Sequence, residues 1–165
     1  MTSSDKSARS PSDRATFYGV HDRDITGHNQ VAIPKQFKRA IEEAHEEQLL
    51  LMRWQKEPYL RLYTKKQFDK KIDEVKENPE IPVELRAAAA AWMAEAAEPI
   101  EPDSQGRFVL PGKWIEALGF KEKVTFCGAF TFIKVWPAYA YHKPEEVEQK
   151  DLAALGGTLT HTLNM

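Results

Sequence analysis

The sequence predicts an α+β fold in which two tandem copies of one small unit share a core, and three observations lead there. Residues 25–41, ITGHNQVAIPKQFKRAI, return as residues 102–118, PDSQGRFVLPGKWIEAL, at an offset of 77; an internal repeat constrains the architecture before any local reading does. Both copies run from a polar turn through three strand-like residues into a proline and an amphipathic helix, then on into two further strand-like runs. A unit of this size cannot cover its own sheet, so two in tandem need one common core, and 165 residues at 42% hydrophobic suffice to build one.

Residues 1–14, MTSSDKSARSPSDR, are Ser-rich, of mixed charge and nearly without apolar side chains. Such a segment cannot offset its ordering entropy, so disorder is expected there. The first unit, 15–78, places Val31, Ala32 and Ile33 before Pro34, whose missing N–H is harmless in a first helical turn. Phe37, Ala40, Ile41 and Ala44 follow the i, i+3, i+4, i+7 spacing of a helix with one buried face. Strands are expected over 48–54 and 59–63, around a Lys56-Glu57-Pro58 turn. Thr64-Lys65-Lys66-Gln67 has the pattern of a capping box and opens a helix with Phe68, Ile72 and Val75 on one face, stopping before Asn78-Pro79. Residues 79–98 hold an Ala-rich linking helix over 82–97, ended by Pro99. In the second unit, 99–142, Phe108, Val109 and Leu110 precede Pro111. The helix carrying Trp114, Ile115 and Leu118 then stops at Gly119, the usual place for a glycine. Strands over 124–127 and 130–136 flank Gly128, and Pro137 and Pro144 leave room for a short helix around 138–142. Residues 143–165, interrupted by Gly156-Gly157, read as a loosely held extension.

Composition narrows the function classes. Lys plus Arg total 23 against 25 for Asp plus Glu, a net charge of −2 that argues against a strongly basic nucleic-acid binder. No stretch approaches the ~20 apolar residues of a membrane span; the longest apolar run is 87–94. The N-terminal residues lack the apolar core of a secretory signal. The single cysteine, Cys127, excludes an intrachain disulfide and fits a reducing cytoplasm.

The string D-x-x-G-R-hydrophobic-x-hydrophobic-P at Asp103-Ser104-Gln105-Gly106-Arg107-Phe108-Val109-Leu110-Pro111, in a chain that carries the unit twice, resembles the MraZ family. The resemblance spans roughly residues 17–142: Phe17-x-Gly19 sits where the family opens with F-x-G, and Leu62-Tyr63 and Val135-Trp136 fit the strand before each repeat's last helix. It implies two SpoVT/AbrB-like swapped-hairpin repeats that form one pseudo-twofold β-barrel with peripheral helices. It also implies a bacterial, nucleoid-associated transcriptional regulator that binds short direct repeats in the promoter of the division and cell-wall gene cluster, assembled as a ring-like homo-oligomer. Family contacts to double-stranded DNA are attributed to the D-x-x-G-R turn and its flanks, mainly in the first repeat.

The first copy departs from that motif, with Thr26-Gly27-His28-Asn29-Gln30 in its place. Asn29 stands at the glycine position, and Asn tolerates the left-handed conformation better than other side chains. Gln30 replaces the arginine, exchanging a permanently charged fork for an amide that can read adenine edges. Either the preferred DNA sequence differs or the first repeat binds more weakly. The second copy keeps the turn residues Asp103 and Gly106 together with Arg107. Arg107 has two compatible readings, a DNA contact and a turn-stabilising ion pair to Asp103. Arg23, His28, Gln30 and Lys35 cluster around the first turn as a DNA-facing patch or, on the plainer reading, a solvated loop. Lys6, Arg9 and Arg14 add cations to the tail.

Other groups point to packing. In His21-Asp22-Arg23-Asp24, period-2 alternation scatters the would-be metal ligands over both strand faces, so no metal is expected. His45-Glu46-Glu47 lacks the second histidine of a zinc-protease helix. Cys127 lies in an apolar strand, as a buried thiol does. Trp54, Trp92, Trp114 and Trp136 have helix and strand spacing that suits a core rather than base stacking, with Trp92 also placed for a subunit interface. No catalytic constellation, nucleotide loop, cofactor motif or small-molecule site stands out. The expected protein is a non-enzymatic, cytoplasmic DNA-binding regulator. The alternative is a structural or protein-interaction module of the same fold that has lost specific DNA binding. With no excess of positive charge to replace a missing arginine, the expected DNA affinity is weaker and more salt-sensitive than the family pattern implies.

Overall fold

The computed structural model describes residues 14–46 and 48–141; the N-terminal tail through residue 13 and the extension expected at 143–165 lie outside them. Twelve helices and strands follow one another: β1 (Val20–Asp24), β2 (Gln30–Ala32), α1 (Lys35–Glu43), β3 (Leu49–Met52), β4 (Leu60–Thr64), α2 (Lys65–Glu77), α3 (Val83–Ala96), β5 (Glu98–Ile100), β6 (Arg107–Val109), α4 (Gly112–Leu118), β7 (Lys123–Gly128) and β8 (Ile133–Pro137). Single 3-10 turns stand at Gly27–Asn29 and Ala138–Ala140.

The fold is α+β with antiparallel ladders. Six strands pair in the order β1-β7-β8-β4-β3-β5, and β2 and β6 pair separately as a ribbon. Among the described residues these ladders form an open six-stranded sheet and a separate ribbon. The ribbon strands are three residues long, and each is followed one residue later by a proline, Pro34 or Pro111. Pro99, without an N–H, lies in β5 at the sheet's edge, the place where a strand tolerates proline.

Exchanging the two halves leaves the strand order unchanged, because β1 and β5, β3 and β7, and β4 and β8 hold the same places in their halves, with the offset shortening from 77 to about 73 residues toward β4 and β8. The register agrees. Val31 faces Phe108 in the ribbon and Arg61 faces Lys134 at the β4–β8 seam, each pair at equivalent positions of the two copies.

Alternation divides the large sheet into two faces. Leu49, Leu51, Leu60, Leu62, Val124, Phe126, Ile133 and Val135 point inward and join Val31 and Phe108 of the ribbon, Phe37 and Ile41 of α1, and Trp114 and Leu118 of α4 in one core. The outer face is covered over the first half by α2 and α3, where Met52, Tyr63, Phe68 and Met93 form a second cluster edged by Trp54, Ile72 and Val75. In the second half, the described residues after β8 form the short turn at Ala138–Ala140.

Most local boundaries follow the sequence. α4 ends at Gly119 with φ +76. Thr64 caps α2, its hydroxyl accepting from the Gln67 N–H at 3.2 Å. The reciprocal half of the capping box is absent, since the Gln67 side chain instead donates to the Ala15 carbonyl at 3.1 Å and ties down the N-terminal segment. Thr64→Ala is therefore expected to cost about 1 kcal/mol, seen as a lower urea midpoint at constant slope; an unchanged midpoint would deny the hydroxyl its capping role. The strand β5 carries no mark of its own in the sequence, because Pro99 reads as a helix stop.

Candidate nucleic-acid interface

The two turns of the repeated motif precede β2 and β6, and the antiparallel ribbon sends each to the far end of the other's strand. In the second turn Gly106 takes φ +80, a conformation glycine adopts without penalty. Asp103 organises the loop. Its Oδ1 accepts from the N–H groups of Gln105 and Arg107, both at 2.9 Å, and its Oδ2 accepts from Arg107 Nε at 2.8 Å. The Arg107 N–H foremost, together with the guanidinium and the Gln105 N–H, holds the Asp103 carboxyl below the usual carboxylate range. Arg107 thus makes the turn-stabilising ion pair, and its remaining N–H donors stay on the exposed side.

The first turn reaches the same course with different chemistry. Thr26 N–H donates to the Gln30 carbonyl at 2.8 Å, the counterpart of the 2.9 Å bond from Asp103 N–H to the Arg107 carbonyl. Asn29 takes φ +60 at the glycine position, as the sequence suggested, and His28 joins it at φ +64. Two left-handed residues in succession replace one, and no feature of His28 in the sequence announces this. Each turn is braced by the opposite half. Leu110 N–H donates to the Asn29 carbonyl and Ile33 N–H to the Gly106 carbonyl, both at 2.9 Å.

The patch expected around the first turn divides. His28 and Asn29 are exposed at its tip and Gln30 is half-buried beside them. Arg23 lies back along β1, its Nη1 on the Asp22 carbonyl at 2.7 Å. Lys35 belongs elsewhere: with Lys38, Arg39 and Glu42 of α1 it lines an open groove of about 490 Å³ whose far wall is Gln105, in the second turn. Lys38, Arg39 and Gln105 were not singled out in the sequence; only the ladder connecting the halves reveals them. Arg14 sits over the Phe130 ring, 5.8 Å from its centroid, and Lys6 and Arg9 lie outside the described residues.

Along β1, His21 and Arg23 face one way while Asp22 and Asp24 face the other, onto the Thr125 hydroxyl and the Lys123 ammonium at 2.8 Å each. Among the described residues no three His, Cys, Asp or Glu side chains gather as metal ligands. Burial pushes the Cys127 thiol up to about 11, so it is no nucleophile at neutral pH. No helix among the described residues is long and apolar enough to cross a membrane.

Residues 93–157 match the family described as "MraZ protein, putative antitoxin-like". Three curated relatives are each named transcriptional regulator MraZ. The protein of Hydrogenovibrio crunogenus is 23% identical over 87% of this chain and 95% of its own length. That of Mycobacterium ulcerans is 21% identical over 84% and 92%, and that of Bacteroides fragilis 22% over 73% and 76%.

Proposed function

We propose that the chain, similar to MraZ proteins in its family-model match and its relatives, is a MraZ-type cytoplasmic, nucleoid-associated, DNA-binding regulator rather than an enzyme, assembled as a ring-like homo-oligomer on direct repeats in a promoter of the division and cell-wall gene cluster. Its fold units are two SpoVT/AbrB-like swapped-hairpin repeats, 15–78 and 99–142, joined by the Ala-rich helix segment at 79–98. The observation that carries the DNA reading is the ribbon with a polar turn at each end and the cations of α1 beside one of them. Arg23, His28, Gln30, Lys35 and Arg107 are its contacts. Weak contacts from single turns add up when several subunits engage one duplex, because linkage raises effective concentration. Self-association is supported by α3, which exposes Val83, Leu85 and Trp92.

A second reading, a protein-interaction module without specific DNA binding, is favoured by the missing arginine at Gln30 and by the engagement of Arg107 with Asp103. A gel shift on the promoter upstream of the chain's own gene, at several salt concentrations, separates the two. Repeat-dependent binding with a negative log–log salt slope is expected, with affinity about tenfold lower for Arg107→Ala if a phosphate or base edge is lost. No shift at low salt would support the second reading.

A further inference from the structure

We infer that the groove between α1 and the 103–107 turn is a phosphate-binding site, one per chain, in which Lys35 and Arg39 of the first half supply the charge and Gln105 of the second half the opposite wall. Three cations and one carboxylate line it. Lys38 is already held by Glu42, Nζ to Oε2 at 2.6 Å. Lys35 and Arg39 are exposed and have no ion-pair partner among the described residues. Arg107 spends its Nε on Asp103. The positive charge left over beside the turns is therefore on the helix.

The groove is also locally frustrated in a way that an anion relieves. α1 begins after Pro34 with no side-chain cap and no acidic residue in its first turn, and Lys35 is its first residue. Cations at this end of a helix oppose its dipole, and a local rule broken on an exposed surface is the pattern expected of a functional site.

Comparison with the other half shows that the site is single. The positions equivalent to Lys35, Lys38, Arg39 and Gln105 are Gly112, Ile115, Glu116 and His28. Lys113, the one lysine on α4, is bound to Glu98 at 3.0 Å. A cationic groove thus faces one turn, whereas the equivalent positions of α4 hold a glycine, a glutamate and an isoleucine that packs against the core. Although the strand ladder is twofold, its charge is not, so the chain meets a duplex in one orientation. The chemistry is that of phosphate, supplied by a duplex backbone or by an inorganic polyphosphate. The duplex source rests on the DNA-binding reading above; the groove itself does not.

The test uses the full chain, the double variant Lys35→Ala/Arg39→Ala, and Lys113→Ala as the control on the opposite helix. Each is titrated calorimetrically with tripolyphosphate and, by gel shift, with a duplex lacking promoter repeats. The expected results are one tripolyphosphate per chain, binding at least about tenfold weaker in the double variant, and a duplex salt slope shallower by about two, since each released phosphate contact contributes about 0.9. Lys113→Ala should match the parent. Matching melting curves for all three proteins exclude a folding artefact. Duplex binding with the same slope in parent and double variant would overturn the groove and leave the DNA reading standing. Variant-sensitive tripolyphosphate binding without any duplex binding would support the groove and sink the DNA reading. Two tripolyphosphates per chain would overturn the single-site inference.

Discussion

Gly128→Ala is expected to destabilise the protein by about 3 kcal/mol, as overpacking against immovable atoms does. A Cβ on Gly128 would stand 2.4 Å from the carbonyl carbon of Phe17 and from the Tyr18 nitrogen, and 2.6 Å from the Phe17 oxygen. All three are backbone atoms, so no side chain can swing aside. The approach is this close because the N-terminal segment crosses the end of β7. The Gly128 N–H donates to the Gly19 carbonyl at 2.8 Å, and Phe17 and Phe130 exchange N–H bonds at 2.9 and 3.0 Å. Relief of the clash must lift this segment and with it Phe17, which is 1% exposed and meets Phe37 edge-on at 5.6 Å. For a chain of this size the loss corresponds to a melting temperature lower by about 6–12 °C. The control is Gly112→Ala, where the added Cβ meets nothing within 4 Å and alanine favours the helix; its melting temperature should hold or rise. A Gly128→Ala protein melting with the parent would remove the close crossing from the account.

The second large effect is at Glu57→Gln. Glu57 accepts from Arg61 at both oxygens, 2.9 Å from Nε and 2.7 Å from Nη2, and from the Tyr59 hydroxyl at 2.8 Å. Arg61 also donates to the Tyr63 hydroxyl at 3.0 Å and lies over the rings of Phe132 and Trp54. With side chains only 16% and 21% exposed, the Arg61–Glu57 pair is poorly hydrated, and removal of its anion leaves a largely desolvated guanidinium. A cost of about 2 kcal/mol follows, below that of a fully buried pair. The effect depends on pH in a defined direction. Burial alone raises the Glu57 carboxyl, but the hydrogen bonds from Arg61 and Tyr59 prevail and hold it below 4.5. Its contribution is complete above the unfolded pKa and is lost as pH falls through the lower folded value. The gap in melting temperature between parent and Glu57→Gln should therefore narrow between about pH 5 and pH 3. Tyr59, pushed up to about 12 chiefly by burial and also by Glu57, keeps its donor proton throughout that range. A gap that stays constant on acidification would show that the carboxylate's charge is not what stabilises the site.

Local grammar made much of the fold readable. The strand–proline–helix signature located β2, α1, β6 and α4, and the pattern of apolar residues gave the packed face of α2. Gly119 and Asn29 showed where the backbone turns left-handed because each is a residue type that such a backbone selects. Pairing between strands left no comparable mark. Nothing in Leu49 or Val124 states that one pairs with β5 and the other with β1, and Pro99 conceals a strand inside a helix-stop signal. The site suffered for the same reason. Lys35 is five residues from Gln30 in the chain, which drew it toward the first turn, yet the antiparallel ribbon delivers Gln105 to α1 instead. Arg107 was legible as an ion-pair partner from its spacing to Asp103. The unpartnered state of Lys35 and Arg39 depends on all that surrounds them and could not be read from spacing.

The exchange of strands between halves has a consequence for synthesis on the ribosome. β1 finds its partner in β7 and β3 one of its partners in β5, so the first half emerges with sheet edges that nothing yet covers. About 100 residues separate β1 from β7, and at the usual elongation rates the nascent chain must wait about 5–20 s for the second half to arrive. During that interval the Phe17 and Leu49 surfaces have only their own half to pack against.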